Sequence, residues 1–305
     1  MDDTVATMTQ QDFFGGPWTQ QKLQVLSEYL RAYRKIFEKN ERASFFKISY
    51  VDAFAGTGVI PREVPDMFTE FFPELAEAEE EFRKGSVKRA LEVEPPFHHY
   101  VFIEKDAGKC VELSVLSEEF SDRDIEIVNN DANVALMNWC SKVDHRRERA
   151  VVFLDPFGAS VEWNAISAIA RTKAVDLWIL FPYGAINRML IKDRKPPKAW
   201  SDRLTRIFGT DEWEKKFYSS SFWRSILDPS EEVEQVHKTA DKTQITEFFV
   251  ERLKSIFVEV ARPGFLNNSK GLLFVLLFAA GNEKGAKAGV NIANHLMRDL
   301  SQSAF

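Results

Sequence analysis

Residues 51–58 read Val-Asp-Ala-Phe-Ala-Gly-Thr-Gly, a short apolar strand that ends on an acid and runs into a glycine turn. A doubly wound α/β domain builds the floor of a nucleoside pocket this way, because Gly56 and Gly58 let the backbone pass where a Cβ would collide with the ligand. Three further apolar runs end on acids. Tyr100 to Asp106 (YVFIEKD) carries Glu104 at its tip, Ile125 to Asp131 (IEIVNND) carries Asp131, and Ala150 to Gly158 (AVVFLDPFG) carries Asp155. Acidic tips on successive strands say more than a single glycine loop does.

Outward from these runs, the pattern alternates. Gln20 to Glu38 holds Leu23, Leu26, Leu30, Tyr33 and Phe37 at spacings of three and four, which predicts an amphipathic helix ahead of the first strand. Strands are predicted at Ile48–Phe54, Tyr100–Glu104, Ile125–Asn129, Val151–Asp155 and Val175–Phe181, with helices at Ala107–Phe120 and Asn133–Ser141 between them. Strand alternating with helix implies parallel strands joined by right-handed crossovers. Ile256–Arg262 and Gly271–Ala280 flank the turn-rich Pro263–Lys270, too short for a helix, and are predicted to close the sheet as an antiparallel hairpin. The expected fold is therefore α/β: a mostly parallel seven-stranded sheet with a terminal antiparallel hairpin, the Rossmann-like plan of class I methyltransferases.

One methyltransferase-like domain over residues 1–305 suits the length, and 45% hydrophobic content supplies its core. Two segments interrupt the plan. Residues 61–96 form an acidic insertion after the glycine turn, punctuated by Pro61, Pro65, Pro73, Pro95 and Pro96; a solvated face, a lid or a docking arm would fit it. Residues 182–255 read as a helical subdomain before the terminal hairpin, and its first part, Pro182–Arg206, carries Arg188, Lys192, Arg194, Lys195, Lys198, Arg203 and Arg206. Leaving the carboxyl edge of the sheet, that charge would lie beside the pocket and is a candidate contact for a phosphate-bearing substrate or nucleic acid. Lys142–Arg149 precedes a strand, so it belongs to the opposite edge and reads as structural.

A net charge of -6 argues against a general nucleic-acid coat. Cys110 and Cys140 have no metal-ligand spacing, so neither a disulfide framework nor a metal is expected, and the five scattered histidines receive no catalytic role. The acidic N-terminus lacks the positive start of a signal peptide, and the longest apolar run, Leu272–Ala280, is too short to span a bilayer; a soluble, cytoplasmic protein is expected.

The strand tips suggest S-adenosylmethionine as cofactor. Gly56 and Gly58 would lie under its methionine part, with Asp52 bonding the ammonium or orienting the turn and Phe54 beside it. Glu104 would accept the ribose hydroxyls with Lys105 adjacent, and Asp131 the adenine amino group with Ala132 and Asn133 lining the ring. Asp155-Pro156-Phe157-Gly158 is the catalytic candidate, with Asp155 also expected among the cofactor contacts. A nucleobase exocyclic amine is a poor nucleophile because its lone pair is delocalised, and hydrogen bonds from its N–H groups to a carboxylate and a backbone carbonyl would aim that pair at a methyl donor. Phe157 could stack on a flat acceptor, and Phe181, Tyr183 and Arg188 would complete the substrate side. The bland alternative is an ordinary β-turn with Asp155 as a helix cap.

VDAFAGTG, FIEKD, NNDAN, FLDPFG and the stretch from Trp163 to Arg188 resemble the three-Cys-motif partner family (TcmP), a bacterial group with a methyltransferase-like fold. The N-terminal helix around Trp18, Lys22 and Leu26–Leu30 and the C-terminal LLFVLLFAAGNEKGAKAGVNIANHLM fit the same pattern, so the resemblance covers most of the chain. It implies a partner protein bearing the three cysteines. DPFG is also similar to the motif of tRNA guanine dimethyltransferases, and more distantly to DPPY and NPPF of amino-group methyltransferases. It departs from the latter in having Phe157 in place of a second proline and Gly158 in place of the aromatic. Three functions stay open: a methyltransferase acting on an amine, a non-catalytic subunit that keeps a nucleoside pocket, and, less favoured, an NAD-dependent oxidoreductase.

Overall fold

The computed structural model describes residues 17–55, 85–156, 159–224, 232–268, 271–298 and 300. Gly56, Gly58, Phe157 and the insertion up to residue 84 lie outside the described residues.

Five strands form the expected parallel set: β1 (Lys47–Asp52), β2 (His99–Glu104), β3 (Ile125–Asn129), β4 (Glu148–Leu154) and β5 (Val175–Phe181). Between them run α1 (Pro17–Lys39, ahead of β1), α2 (Ala107–Glu118), α3 (Ala132–Cys140) and α4 (Trp163–Arg171). β5 reads VDLWILF and is buried at every position, as a central parallel strand covered on both faces must be. After it come α5 (Tyr183–Met189), α6 (Lys198–Phe208), α7 (Glu212–Phe217), β6 (Tyr218–Arg224), β7 (Glu232–Lys238) and α8 (Lys242–Lys254). The chain closes with β8 (Glu259–Val260), β9 (Gly264–Asn268), β10 (Gly271–Ala280) and α9 (Ala286–Leu296). The strand order is β3-β2-β1-β4-β5-β10-β8, with β9 also on β10, and β10 is antiparallel to β5. This is the expected Rossmann-like arrangement of parallel strands closed by antiparallel ones, with eight strands in place of the seven expected.

Two apolar layers sandwich the sheet. Leu23, Leu26, Leu30 and Tyr33 of α1 pack with Tyr50, Phe102, Phe153, Trp178 and Phe278 on one face, and α9 lies beside them. The other face carries Val51, Ile103, Val152, Leu177 and Ile179 under α3 to α8. Neighbouring residues of a strand alternate between the two layers, as the period of two requires.

The terminal strands differ in detail from expectation. Ile256–Arg262 yields only the two-residue β8, and Pro263–Lys270 contains β9, which pairs with Gly271 to Leu276 of β10. Pro263 has no N–H to give to a ladder, so the outer strand breaks there into two short pieces along one side of β10. Residues 182–255 are also more than helical: β6 and β7 make a separate antiparallel hairpin.

The amino edge of the sheet holds a buried carboxyl group that no sequence pattern announces. Asp176 accepts from the Tyr29 hydroxyl at 3.0 Å and from the Gly281 amide at 3.2 Å. Glycine is needed at 281, since a Cβ there would strike the Val175 carbonyl oxygen. Arg149, the last of the cationic run, is buried with its guanidinium 3.8 Å over the Phe46 ring, in keeping with a structural reading of that run. Burial raises the Asp176 pKa from 3.8 to about 6, against the opposing pull of Tyr29, Gly281 and Arg149. A carboxyl whose pKa is higher folded than unfolded binds its proton more tightly in the native state, so its contribution favours folding below the unfolded value and is lost as pH rises through the folded one. Asp176→Asn should therefore remove a decline in stability between about pH 4 and 6, worth up to about 3 kcal/mol. Urea unfolding of both proteins across that range checks it; parallel pH profiles would refute it.

Candidate functional site at the carboxyl edge

Parallel pairing in the order β3-β2-β1-β4-β5 sets the carboxyl ends of these strands side by side. Asp52 is in register with Phe102 and Phe153, and Glu104 with Asn129. Glu104 and Asp155 each lie two residues beyond those partners, so alternation directs them to the face of Asp52, the one covered by α1.

Asp52 is 1% exposed and committed to the protein. Its Oδ1 accepts from the Phe54 amide at 3.1 Å, and its Oδ2 accepts from the Ser86 hydroxyl at 3.1 Å, with the Tyr50 hydroxyl at 3.5 Å. Of the two roles considered, this geometry matches orientation of the turn. It also links the chain on either side of residues 56–84. Burial pushes the Tyr50 phenol well up, and the negative charges of Asp52 and Asp155 push it further, so the first and fourth tips share one electrostatic neighbourhood.

Glu104 is half-buried at the tip of β2. Its Oε1 accepts from the Asp106 amide at 2.8 Å, and Oε2 has no hydrogen bond among the described residues. Lys105 beside it is exposed. Asn129 donates to the carbonyls of Glu104 and Lys105 at 3.0 and 2.9 Å, fastening the second tip to the third. Asp131 caps α3, its Oδ1 accepting from the amides of Asn133 and Val134 at 3.0 and 3.4 Å. Ala132 is buried at the first turn.

Asn133 then reaches the fourth loop. It donates to the Ser160 carbonyl at 3.0 Å and accepts from the Glu162 amide at 2.9 Å. That loop begins with Asp155, 1% exposed, and the buried Pro156. Ala159 follows with φ of 93°, a conformation that a residue with a Cβ adopts only when its surroundings impose it. Arg203 of α6 donates to the Ala159 carbonyl at 3.4 Å, and Arg206 pairs with Glu162 at 3.3 Å. Arg203 and Arg206 of the basic segment therefore lie against the Asp155 loop.

The substrate-side residues are less uniform. Phe181 is 1% exposed and stacked on Phe249 at 4.4 Å, so its ring belongs to the core rather than to an open cleft. Tyr183 opens α5 and is buried, its phenol pushed up by burial and by Asp241. Arg188 is exposed near the end of α5, and Phe54 is half-buried against the core. Sequence reasoning missed Ser86 and Asn129, and it gave Asn133 and Arg203 ligand-side roles where the structure has them fastening the tips together. Only the Asn-Asn-Asp-Ala-Asn run carried a signal, because small polar side chains after a strand satisfy loop backbone. No cluster of metal-ligating side chains and no helix long and apolar enough to cross a membrane occurs among the described residues. Cys110 and Cys140 are free, and burial raises the Cys140 thiol to about 12.

No family model matches the chain, and no curated protein does. Solved structures resemble it in shape. A Legionella pneumophila protein of the DUF519 family model is 11% identical over 96% of this chain and 95% of its own, with a TM-score of 0.49. An S-adenosylmethionine-dependent methyltransferase from Clostridium acetobutylicum is 10% identical over 85% and 92%, with a TM-score of 0.34. The N-terminal domain of EvdMO1 with SAH bound is 10% identical over 84% and 80%, with a TM-score of 0.38.

Proposed function

We propose that this chain is an S-adenosylmethionine-dependent methyltransferase that transfers a methyl group to an amine, with a nucleobase exocyclic amine as the acceptor, and that it works with a three-Cys-motif partner protein. The observation that carries the reading is the gathering of Asp52, Glu104, Asp131 and Asp155 at neighbouring tips of one parallel sheet, latched by Asn129 and Asn133. Glu104 fits the ribose because its Oε2 has no hydrogen bond among the described residues while Oε1 is fixed by the Asp106 amide. Asp131 fits the adenine amino group through Oδ2, since Oδ1 already serves the helix cap. The cofactor would supply an electrophilic methyl group on a sulfonium. Asp155 and a neighbouring backbone carbonyl would accept the two N–H groups of the acceptor, turning its lone pair toward that methyl. Pro156 and Tyr183 would keep water from the reacting atoms. The partner rests on the family resemblance, and the basic segment from Arg188 to Arg206 is the proposed contact for a nucleic-acid acceptor.

Isothermal titration with S-adenosylmethionine tests the reading directly. Glu104→Ala should weaken binding by about tenfold or more, because a hydrogen bond to a charged group is worth about 1.5–3 kcal/mol. A wild-type protein that stays silent at millimolar cofactor would remove the methyltransferase, and binding without transfer to any nucleic acid or amine would favour the non-catalytic subunit.

A further inference from the structure

The β6–β7 hairpin stands outside the main sheet and is anchored at its root, with Val236 packed against the core and His237 beside Asp193 at 3.4 Å. There the Tyr218 hydroxyl donates to the Ile191 carbonyl at 3.0 Å, the Lys238 amide to the Lys192 carbonyl at 2.7 Å, and the Thr239 amide to the Phe217 carbonyl at 2.9 Å. Beyond the root, Ser219 to Phe222 are all exposed, so neither face of this strand is covered, and a bare two-stranded hairpin gains little stability by itself. Phe222 is 66% exposed.

Lys238 is the anomaly at the root. It is half-buried, burial lowers its pKa, and its ammonium donates to the Asn187 side-chain carbonyl with no carboxylate partner among the described residues. Neighbouring cations are neutralised: Lys195 by Glu214, Lys198 by Asp202 and Arg206 by Glu162. Lys192 and Arg194 on the adjoining loop are exposed and have no ion pair among the described residues. A desolvated ammonium without a counter-charge is costly unless an anion completes it. Pairing of Tyr218 with Lys238 and of Phe222 with Glu234 puts Lys238 and Phe222 on one face, about 14 Å apart along the strand.

We propose that the hairpin is a clamp for a single-stranded nucleic acid, with Lys238, Lys192 and Arg194 receiving a phosphodiester group at its root and Phe222 stacking on a base farther along the same face. The inference rests on the methyltransferase reading for its purpose, since the root leans on α5, which leaves β5 at the edge that carries Asp155. It gives the acceptor a second handhold beyond the basic segment.

Fluorescence anisotropy with short labelled single-stranded RNA, single-stranded DNA and duplex DNA tests it. Wild-type protein should bind single strands more tightly than duplex, with the RNA and DNA arms identifying the natural strand. Lys238→Gln, which can keep the bond to Asn187, should weaken binding about fivefold and reduce the salt slope of log K by about 0.7. Phe222→Ala should weaken binding about tenfold with the salt slope unchanged. Wild-type affinity in both variants, no binding of any strand, or tighter binding of duplex would overturn the clamp. Both variants should titrate S-adenosylmethionine like wild type; failure of the wild type to bind cofactor would sink the methyltransferase while leaving the clamp to the anisotropy data.

Discussion

Asp155→Ala is expected to cut methyl transfer by about 10²- to 10⁴-fold while changing S-adenosylmethionine affinity by no more than about twofold. The reasoning is positional. Glu104 and Asp131 stand at the second and third tips, where a nucleoside would span the sheet, whereas Asp155 stands at the fourth, beside the basic segment and the strained Ala159. A carboxylate there would act on the acceptor amine, so its loss should appear in single-turnover chemistry and not in cofactor titration. Asp155→Asn, which keeps one carbonyl oxygen, should recover part of the rate. Equal loss of turnover and cofactor affinity would reassign Asp155 to the cofactor; unchanged turnover would leave it a buried structural acid.

Val175–Phe181 is buried at every position and reads as a near-continuous apolar run, whereas the edge strand Ile125–Asn129 is only half-buried and is found from its β-branched Ile125, Ile127 and Val128 ahead of a polar turn. The tips were legible because an acid after such a run breaks the pattern sharply. What binds the tips together was not, since Ser86, Asn133 and Arg203 meet their partners across long sequence separations and carry no periodic signal. The β6–β7 hairpin escaped because Ser219, Ser220 and Ser221 offer no alternation between apolar and polar. β9 was hidden by Pro263, Gly264 and two asparagines, residues whose turn preference yielded to pairing with β10. Asp131 illustrates a limit of residue type: the same side chain serves a helix cap with Oδ1 while Oδ2 has no hydrogen bond among the described residues.

Phe181→Ala is the second large effect, and it falls on folding. Phe181 is 1% exposed, stacks on Phe249 with planes 22° apart, and lies 6.3 Å from the Phe208 ring. Removing the ring leaves a void in the layer that carries α4 to α8, at an expected cost of about 3–5 kcal/mol in urea unfolding. Phe181→Leu should cost much less, because most of the volume remains. A variant with wild-type stability and impaired transfer would instead return Phe181 to the substrate side, so the two measurements separate packing from catalysis.

The rims of the sheet have unequal capacity for lateral growth. On the β10 side the outermost positions are the two-residue β8 and the five-residue β9, interrupted at Pro263, which cannot donate to an incoming backbone. At the other rim, β3 is five residues long and pairs with β2 alone among the described residues. Oligomers assembled through continuous backbone pairing would therefore recruit β3, and a proline replacing Ile127 is the substitution that would abolish such assembly while sparing association through helices.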